Sequence, residues 1–290
     1  MSILRFVSFA SLLFILFACS GETIPTFERT QREFILSDWG DIGIAMDSQG
    51  MDVYEDIYLF QASYVPGSSC GMVTVNLKEK RILGDFQFND NFPIIHMNNV
   101  NCGEKWSPND NFPLLYISEA HNEKRCFVIR LFDNASQYSV VQTIKYNGEK
   151  YASNNYMDWF LDNDGGFLYA YGHLSAITPE YCFIKFPLPP LTQESVVFTD
   201  DDIIDDFLIN SDILVPQGTK MRNGTLHTVY GFNTDEYPSW YAKYDLVNKK
   251  IISKVKLDKR LGEPEAVTFY QNKILISNNA INPSYWIINE

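Results

Sequence analysis

From Glu265 the chain alternates through Ala266-Val267-Thr268-Phe269-Tyr270, pauses at Gln271-Asn272 and resumes as Lys273-Ile274-Leu275-Ile276. A period of two marks a strand and the polar pair marks a tight turn, so the segment predicts a β-hairpin. The pattern recurs. Residues 217–228 align with it without a gap and place Asn223-Gly224 on the turn, the strongest short hairpin signal. Residues 49–60 align equally well, and residues 158–169 match closely with Asp164-Gly165-Gly166 in the turn. A further copy starts at Asn98 and resumes at residues 114–117, its turn enlarged by an insertion over residues 103–111.

Each copy is followed by a third strand-like run, at residues 71–77, 126–132, 182–186, 239–246 and 284–288. The first four copies add a fourth, at residues 81–88, 139–145, 194–198 and 250–257. The fifth stops after three, while residues 33–36 and 42–45, upstream of the first copy, are strand-like and unassigned. Four strands repeated every ~45–60 residues read as an all-β fold, a β-propeller of four-stranded antiparallel blades. An N-terminal strand completing the last blade would close the ring and remove its free edges. The count is five blades, or six if residues 192–215 hold another. That stretch carries Asp200-Asp201-Asp202 and Asp205-Asp206, and it reads as one strand plus a solvated acidic excursion.

Composition sharpens this picture. Aromatics form 15% of the 290 residues, which suits strands. The formal net charge of −13 argues against nucleic acid or an anionic membrane surface as partner. At the N-terminus, Arg5 precedes an apolar run over residues 6–17 that is too short to span a bilayer, the anatomy of a signal peptide over residues 1–18. Leu16-Phe17-Ala18-Cys19 resembles a bacterial lipobox. That resemblance implies cleavage before Cys19, lipidation of its thiol, and residence in the cell envelope, on the outer membrane of a Gram-negative bacterium. Membrane contact is then expected only through this lipid. Residues 19–31 are the tether and residues 32–290 the propeller domain. Cys70, Cys126 and Cys182 each open a third strand of a different blade, too far apart for disulfides, and Cys102 has no evident partner.

The first strand of each blade lines the axis, so its entry residue faces the shared channel mouth. The five entry residues are Gln49, Asn98, Asp158, Gln217 and Glu265, all oxygen-bearing. Gly50 and Gly218 follow two of them and permit close backbone approach. Two carboxylates and three amides suit a hard cation, the hydroxyls of a sugar or lactone, or ordered water. His96 stands beside Asn98, either as a general base or as a residue bonded to neighbouring backbone. In the insertion, which follows Asn98 closely, Trp106 is grouped with Gln49, Gln217 and His96 as a ligand-binding candidate, placed either to stack on a sugar, with Asn109 and Asp110 as hydrogen-bonding partners, or to pack the loop on a neighbouring blade. Tyr237 to Tyr241 is expected to pack between blades.

Pro264-Glu265 at the start of the closing blade and His96-Met97-Asn98-Asn99 in an earlier one resemble the gluconolactonase and strictosidine-synthase-like propellers. The blade pattern also resembles TolB-like propellers and propeller lipoproteins of Bacteroides type. The lactonase resemblance implies a divalent ion, often Ca²⁺, at the channel mouth, with Glu265, Asn98 and Asp158 as matching ligands. A counterpart of that family's further catalytic Asp is missing. Two functions follow as expectations: a binding module for a glycan, small molecule or envelope protein, or a metal-dependent lactonase-like hydrolase with His96 as the candidate base.

Overall fold

The computed structural model describes residues 30–44, 46–64, 70–88, 96–119, 123–175, 177–279 and 283–288. The predicted signal peptide, Cys19 and nearly all of the tether lie outside the described residues. No helix among the described residues is long and apolar enough to cross a membrane.

The predicted hairpins form the inner pairs of five sheets. Strand β1 (Thr30–Ile35) comes first. Strands β2 (Ser48–Tyr54), β3 (Tyr58–Ser63), β4 (Gly71–Asn76) and β5 (Arg81–Gln87) make the first blade. The second consists of β6 (Met97–Cys102), β7 (Leu115–Glu119), β8 (Arg125–Leu131) and β9 (Tyr138–Tyr146). The third has β10 (Tyr156–Asp162), β11 (Phe167–His173) and β12 (Glu180–Pro187); β13 (Ser195–Phe198) follows in the chain, and β14 (Asp205–Asn210) completes that blade. The fourth is β15 (Pro216–Arg222), β16 (Thr225–Tyr230), β17 (Trp240–Asp245) and β18 (Lys250–Lys256). The fifth is β19 (Pro264–Tyr270), β20 (Lys273–Asn278) and β21 (Ser284–Ile288), with β1 antiparallel to β21. The protein is a five-bladed β-propeller.

Turn chemistry explains the inner hairpins. Asn223 and Gly224 both have positive φ, as do Gln271 and Asn272, and Glu55 and Asp56. Two successive left-handed residues match the twist of the flanking strands. Five apolar clusters fill the spaces between neighbouring blades. Tyr241 is buried between the fourth and fifth blades and Trp240 packs between the third and fourth, as expected of that aromatic run. Cys70, Cys102, Cys126 and Cys182 are free and buried, and burial pushes the Cys70 thiol up to about 12 and that of Cys182 up to about 11. They pack as small apolar side chains.

The closing strand comes from upstream of the first copy, as expected: β1 overlaps the strand-like run at residues 33–36 and begins at Thr30. Two other expectations about the strands need correction. The segment at residues 194–198 is not the outer strand of the third blade: β13 pairs parallel to β9 of the second. Phe198 from β13 stacks on Phe186 with ring centroids 4.5 Å apart, and Gln142 Nε2 donates to the Pro190 and Gln193 carbonyls at 2.9 and 2.7 Å, which pins the approach. The outer strand of the third blade comes from the acidic stretch itself, because β14 pairs with β12. Its acids are held by ion pairs, Asp206 with Lys150 at 2.5 Å and Asp205 with Lys249 at 2.8 Å. Asp200 accepts from the Glu149 amide at 3.1 Å and from the Tyr146 hydroxyl. The stretch is a stitched element of the fold rather than a merely solvated excursion.

Candidate functional site

The innermost strands are β2, β6, β10, β15 and β19. Four of them break register at their entry residues. The ladder shifts between Ser48 and Met51, across Gln49 and Gly50; between Met97 and Asn99, across Asn98; between Pro216 and Thr219, across Gln217 and Gly218; and between Pro264 and Ala266, across Glu265. Asp158 alone keeps a regular partner, Tyr171. A bulge turns one side chain out of the pleat. Four blades thus use a bulge to place an oxygen-bearing side chain at the mouth.

The glycines beside two bulges serve the ring. A Cβ on Gly50 would lie 2.6 Å from Asn99 Cα and 2.8 Å from the Asn98 carbonyl oxygen; one on Gly218 would lie 2.6 Å from the Glu265 carbonyl oxygen. The room they make is taken by neighbouring inner strands.

At the mouth two groups form. On the second and third blades, Asn98 Nδ2 donates to Asp158 Oδ2 at 3.1 Å and Ser118 Oγ donates to Asp158 Oδ1 at 3.1 Å. Burial raises the Asp158 carboxyl to about 6 against those two stabilising bonds. On the fourth, fifth and first blades, Gln217 Nε2 donates to Glu263 Oε1 at 3.0 Å and Asn279 Nδ2 to Glu263 Oε2 at 3.3 Å. Burial holds Glu265 well above the usual carboxylate range, with Glu263 and Asp47 adding repulsion. Glu263 and Asp47 are raised by burial as well. Gln49 is 4% exposed, and its Oε1 has no hydrogen-bond partner.

Below the mouth the axis is closed by the chain's own polar groups. Asn99 bridges to the fourth blade, donating to Thr219 Oγ1 at 2.5 Å and accepting from the Thr219 amide at 3.1 Å. Deeper, the buried Asp52 carboxylate accepts from Thr268 Oγ1 at 2.6 Å, the Cys102 amide at 2.7 Å and the Val53 amide at 2.8 Å, and pairs with Lys220. Apart from Asn99, which belongs to the His96-Met97-Asn98-Asn99 motif, none of these axis residues stands out in the sequence, where each reads as one polar position in an alternating strand.

His96 and Trp106 part company. His96 is at the mouth, its ring 4.7 Å from that of Tyr64. Trp106 is not: its loop joins the far end of β6 to β7, on the opposite face. A six-residue strand separates the faces by roughly 20 Å at ~3.3 Å per residue. Trp106 therefore does not join the mouth residues, because β6 runs between Asn98 and the insertion and carries the loop to the far face. The loop is fixed by the Leu114 amide on the Glu104 carbonyl at 2.9 Å and by Arg130 on Asp110 at 2.6 and 2.8 Å, with Trp106 43% exposed. Of the three residues matched to a divalent ion, Asn98 and Asp158 bond to each other, while Glu265 bonds Asn279 and is repelled by Glu263 and Asp47. No group of three His, Cys, Asp or Glu side chains among the described residues is arranged to hold a metal ion.

The raised carboxyls set a pH dependence. Asp158 binds its proton more tightly folded (about 6) than unfolded (near 3.8), so its contribution is fully present below the lower value and lost as pH rises through the upper. A shift of about 2 units corresponds to roughly 3 kcal/mol. In denaturant unfolding this contribution should fall between pH 4 and 6, with Glu263, Glu265 and Asp47 acting in the same direction and the lowered surface carboxyls, such as Asp110 and Asp200, acting against it. Asp158→Asn should flatten that fall by about the stated amount; an unchanged slope would contradict a buried, raised carboxyl there.

No family model matches the chain, and no curated protein matches it. Solved structures share its fold. A tail fibre of Staphylococcus aureus phage P68 aligns with TM-score 0.55 and 10% identity over 89% of this chain and 52% of its own. The chain thus spans about half the length of that fibre protein. A GH43_1 enzyme from Xanthomonas citri aligns with TM-score 0.50 and 10% identity, over 84% of this chain and 88% of the enzyme. The PQQ-bound aldose sugar dehydrogenase from Streptomyces coelicolor aligns with TM-score 0.50 and 8% identity, over 90% of this chain and 98% of that one. At such identities the likeness is one of fold, and the fold common to them is the β-propeller.

Proposed function

We propose that this is a lipid-anchored, extracytoplasmic binding propeller that takes a hydroxyl-rich ligand, a glycan or a small polyol-like molecule, at the entry mouth. The observation that carries the reading is the Gln217–Glu263–Asn279 chain beside Glu265 and the unpartnered Gln49 Oε1. Amide donors and carboxyl acceptors alternate there, with Gln217, Glu263 and Asn279 half-buried and Gln49 and Glu265 buried, the arrangement that a set of hydroxyl groups satisfies. Tyr64 with His96 and Tyr156 with His173 add ring pairs near the same face, each with centroids 4.7 Å apart. The anchor rests on Cys19 and the run before it.

Glycan-array screening followed by calorimetry tests the reading. At least one glycan should bind saturably, and Glu263→Gln, which keeps the shape and loses the charge, should weaken it about tenfold, in line with a charged hydrogen bond of 1.5–3 kcal/mol. An array without a binder, or affinity indifferent to both Glu263→Gln and Glu263→Ala, would overturn it. If Ca²⁺ raises the unfolding midpoint and Glu265→Gln abolishes that rise, the mouth is a cation site instead.

A further inference from the structure

On the face opposite the mouth, a groove of about 590 Å³ opens between the fourth and fifth blades. One end is formed by the β15–β16 and β19–β20 turns, which contribute Asn223 and Asn272. Arg222, Lys243 and Lys273 line it, with Ile252, Ile274 and Ile288 as apolar walls, and none of the described residues lining it is acidic. In a chain of net charge −13 this is a local reversal of sign.

Several cations elsewhere are paired. Arg125 sits on Glu119, Arg130 on Asp110 and Lys259 on Asp235. Among the described residues no carboxylate pairs with Arg222 or Lys273, although acids outnumber bases by 36 to 23. Arg222 is also held in place. Its guanidinium carbon lies 4.3 Å from the centroid of the Phe269 ring, and Nη2 donates to Asn272 Oδ1 at 2.7 Å. Phe269 is supported in turn by His227, edge-on at 4.7 Å, whose Nδ1 lies 2.5 Å from the Tyr241 hydroxyl. One face and one nitrogen of the guanidinium are thus committed, and its remaining N–H donors are left for the groove. A guanidinium fixed before the ligand arrives loses little freedom on binding a carboxylate or phosphate.

We infer that this groove is a second binding site, for a small organic anion with a carboxylate, sulfonate or phosphate head on Arg222 and Lys273 and an apolar body against the isoleucines. Its volume lies within the range of small-molecule sites. It is independent of the mouth, which carries the opposite charge.

The probe is 8-anilinonaphthalene-1-sulfonate, a sulfonate on an apolar body, titrated into the folded protein by fluorescence. The expected result is saturable one-to-one binding, weakened at least tenfold by Arg222→Gln and several-fold by Lys273→Gln, and weakened by added salt. Lys273 is exposed, so its variant should fold even if Arg222→Gln loses stability. Benzoate and phenyl phosphate then compete for the bound probe: displacement by either supports the site and identifies the head group it prefers. Probe binding unchanged in both variants, or displaced by neither competitor, would overturn the inference.

Discussion

Asp52→Ala should lower stability by about 3–5 kcal/mol, the range for breaking one side of a buried ion pair. For a domain of this size that is a loss of roughly 10 °C in the thermal midpoint. Asp52 is wholly buried, and its carboxylate collects the Thr268 hydroxyl from the fifth blade, the Cys102 amide from the second and the Lys220 ammonium from the fourth. Removing it leaves an ammonium whose side chain is only 14% exposed without its counter-charge. It also removes the acceptor of three further donors, the Thr268 hydroxyl and the Cys102 and Val53 amides, each costing about 1–3 kcal/mol when buried and left unpaired. Differential scanning calorimetry reads the effect directly. A change within 1 °C would mean that Asp52 does not hold the blades together.

Gly50→Ala is the second large effect, and its cause is steric. The added carbon would meet Asn99 Cα at 2.6 Å, Asn99 carbonyl carbon at 2.7 Å and the Asn98 carbonyl oxygen at 2.8 Å, all backbone atoms. No rotamer change relieves such a contact. The first and second inner strands would have to separate, at the level where Asn99 reaches across to Thr219. Overpacking of a rigid core costs about 1–3 kcal/mol and occasionally more, and the expected loss here is about 3 kcal/mol. Urea unfolding should show a lower midpoint with an unchanged slope. A variant as stable as the parent would show that these strands do not approach as closely as described.

Much of the fold was legible because it is local. Asn223-Gly224 and Gln271-Asn272 announce their own turns, and the alternating runs on either side announce strands. The missing fourth strand of the last blade implied closure by the N-terminus, and β1 supplies it. The exchange of β13 for β14 was not legible. Both segments are short, both fit a strand, and the choice rests on Phe198 reaching Phe186 and on Lys150 and Lys249 neutralising Asp206 and Asp205. Nothing near residues 195–210 encodes those partners.

The candidate site divides in the same way. Its entry residues could be found because the repeat aligns them, although the register shifts that aim four of them could not. Trp106 was misplaced because sequence distance from Asn98 ignores the length of β6. The axis network was hidden because its members are far apart in the chain: Asp52 and Lys220 are separated by 168 residues, Asn99 and Thr219 by 120. The groove behind Arg222 was hidden for a related reason, since its cations come from separate blades and only the fold sets them beside one another.

That five inner strands share one axis is the claim on which both binding sites rest. A double-mutant cycle on Asp52→Asn and Lys220→Met tests it most directly, by urea unfolding of the parent, both single variants and the double variant. The shared axis predicts a coupling of more than 1 kcal/mol, with the double variant more stable than the sum of the single losses allows. Losses that add within about 0.5 kcal/mol would place the two residues apart and contradict the ring.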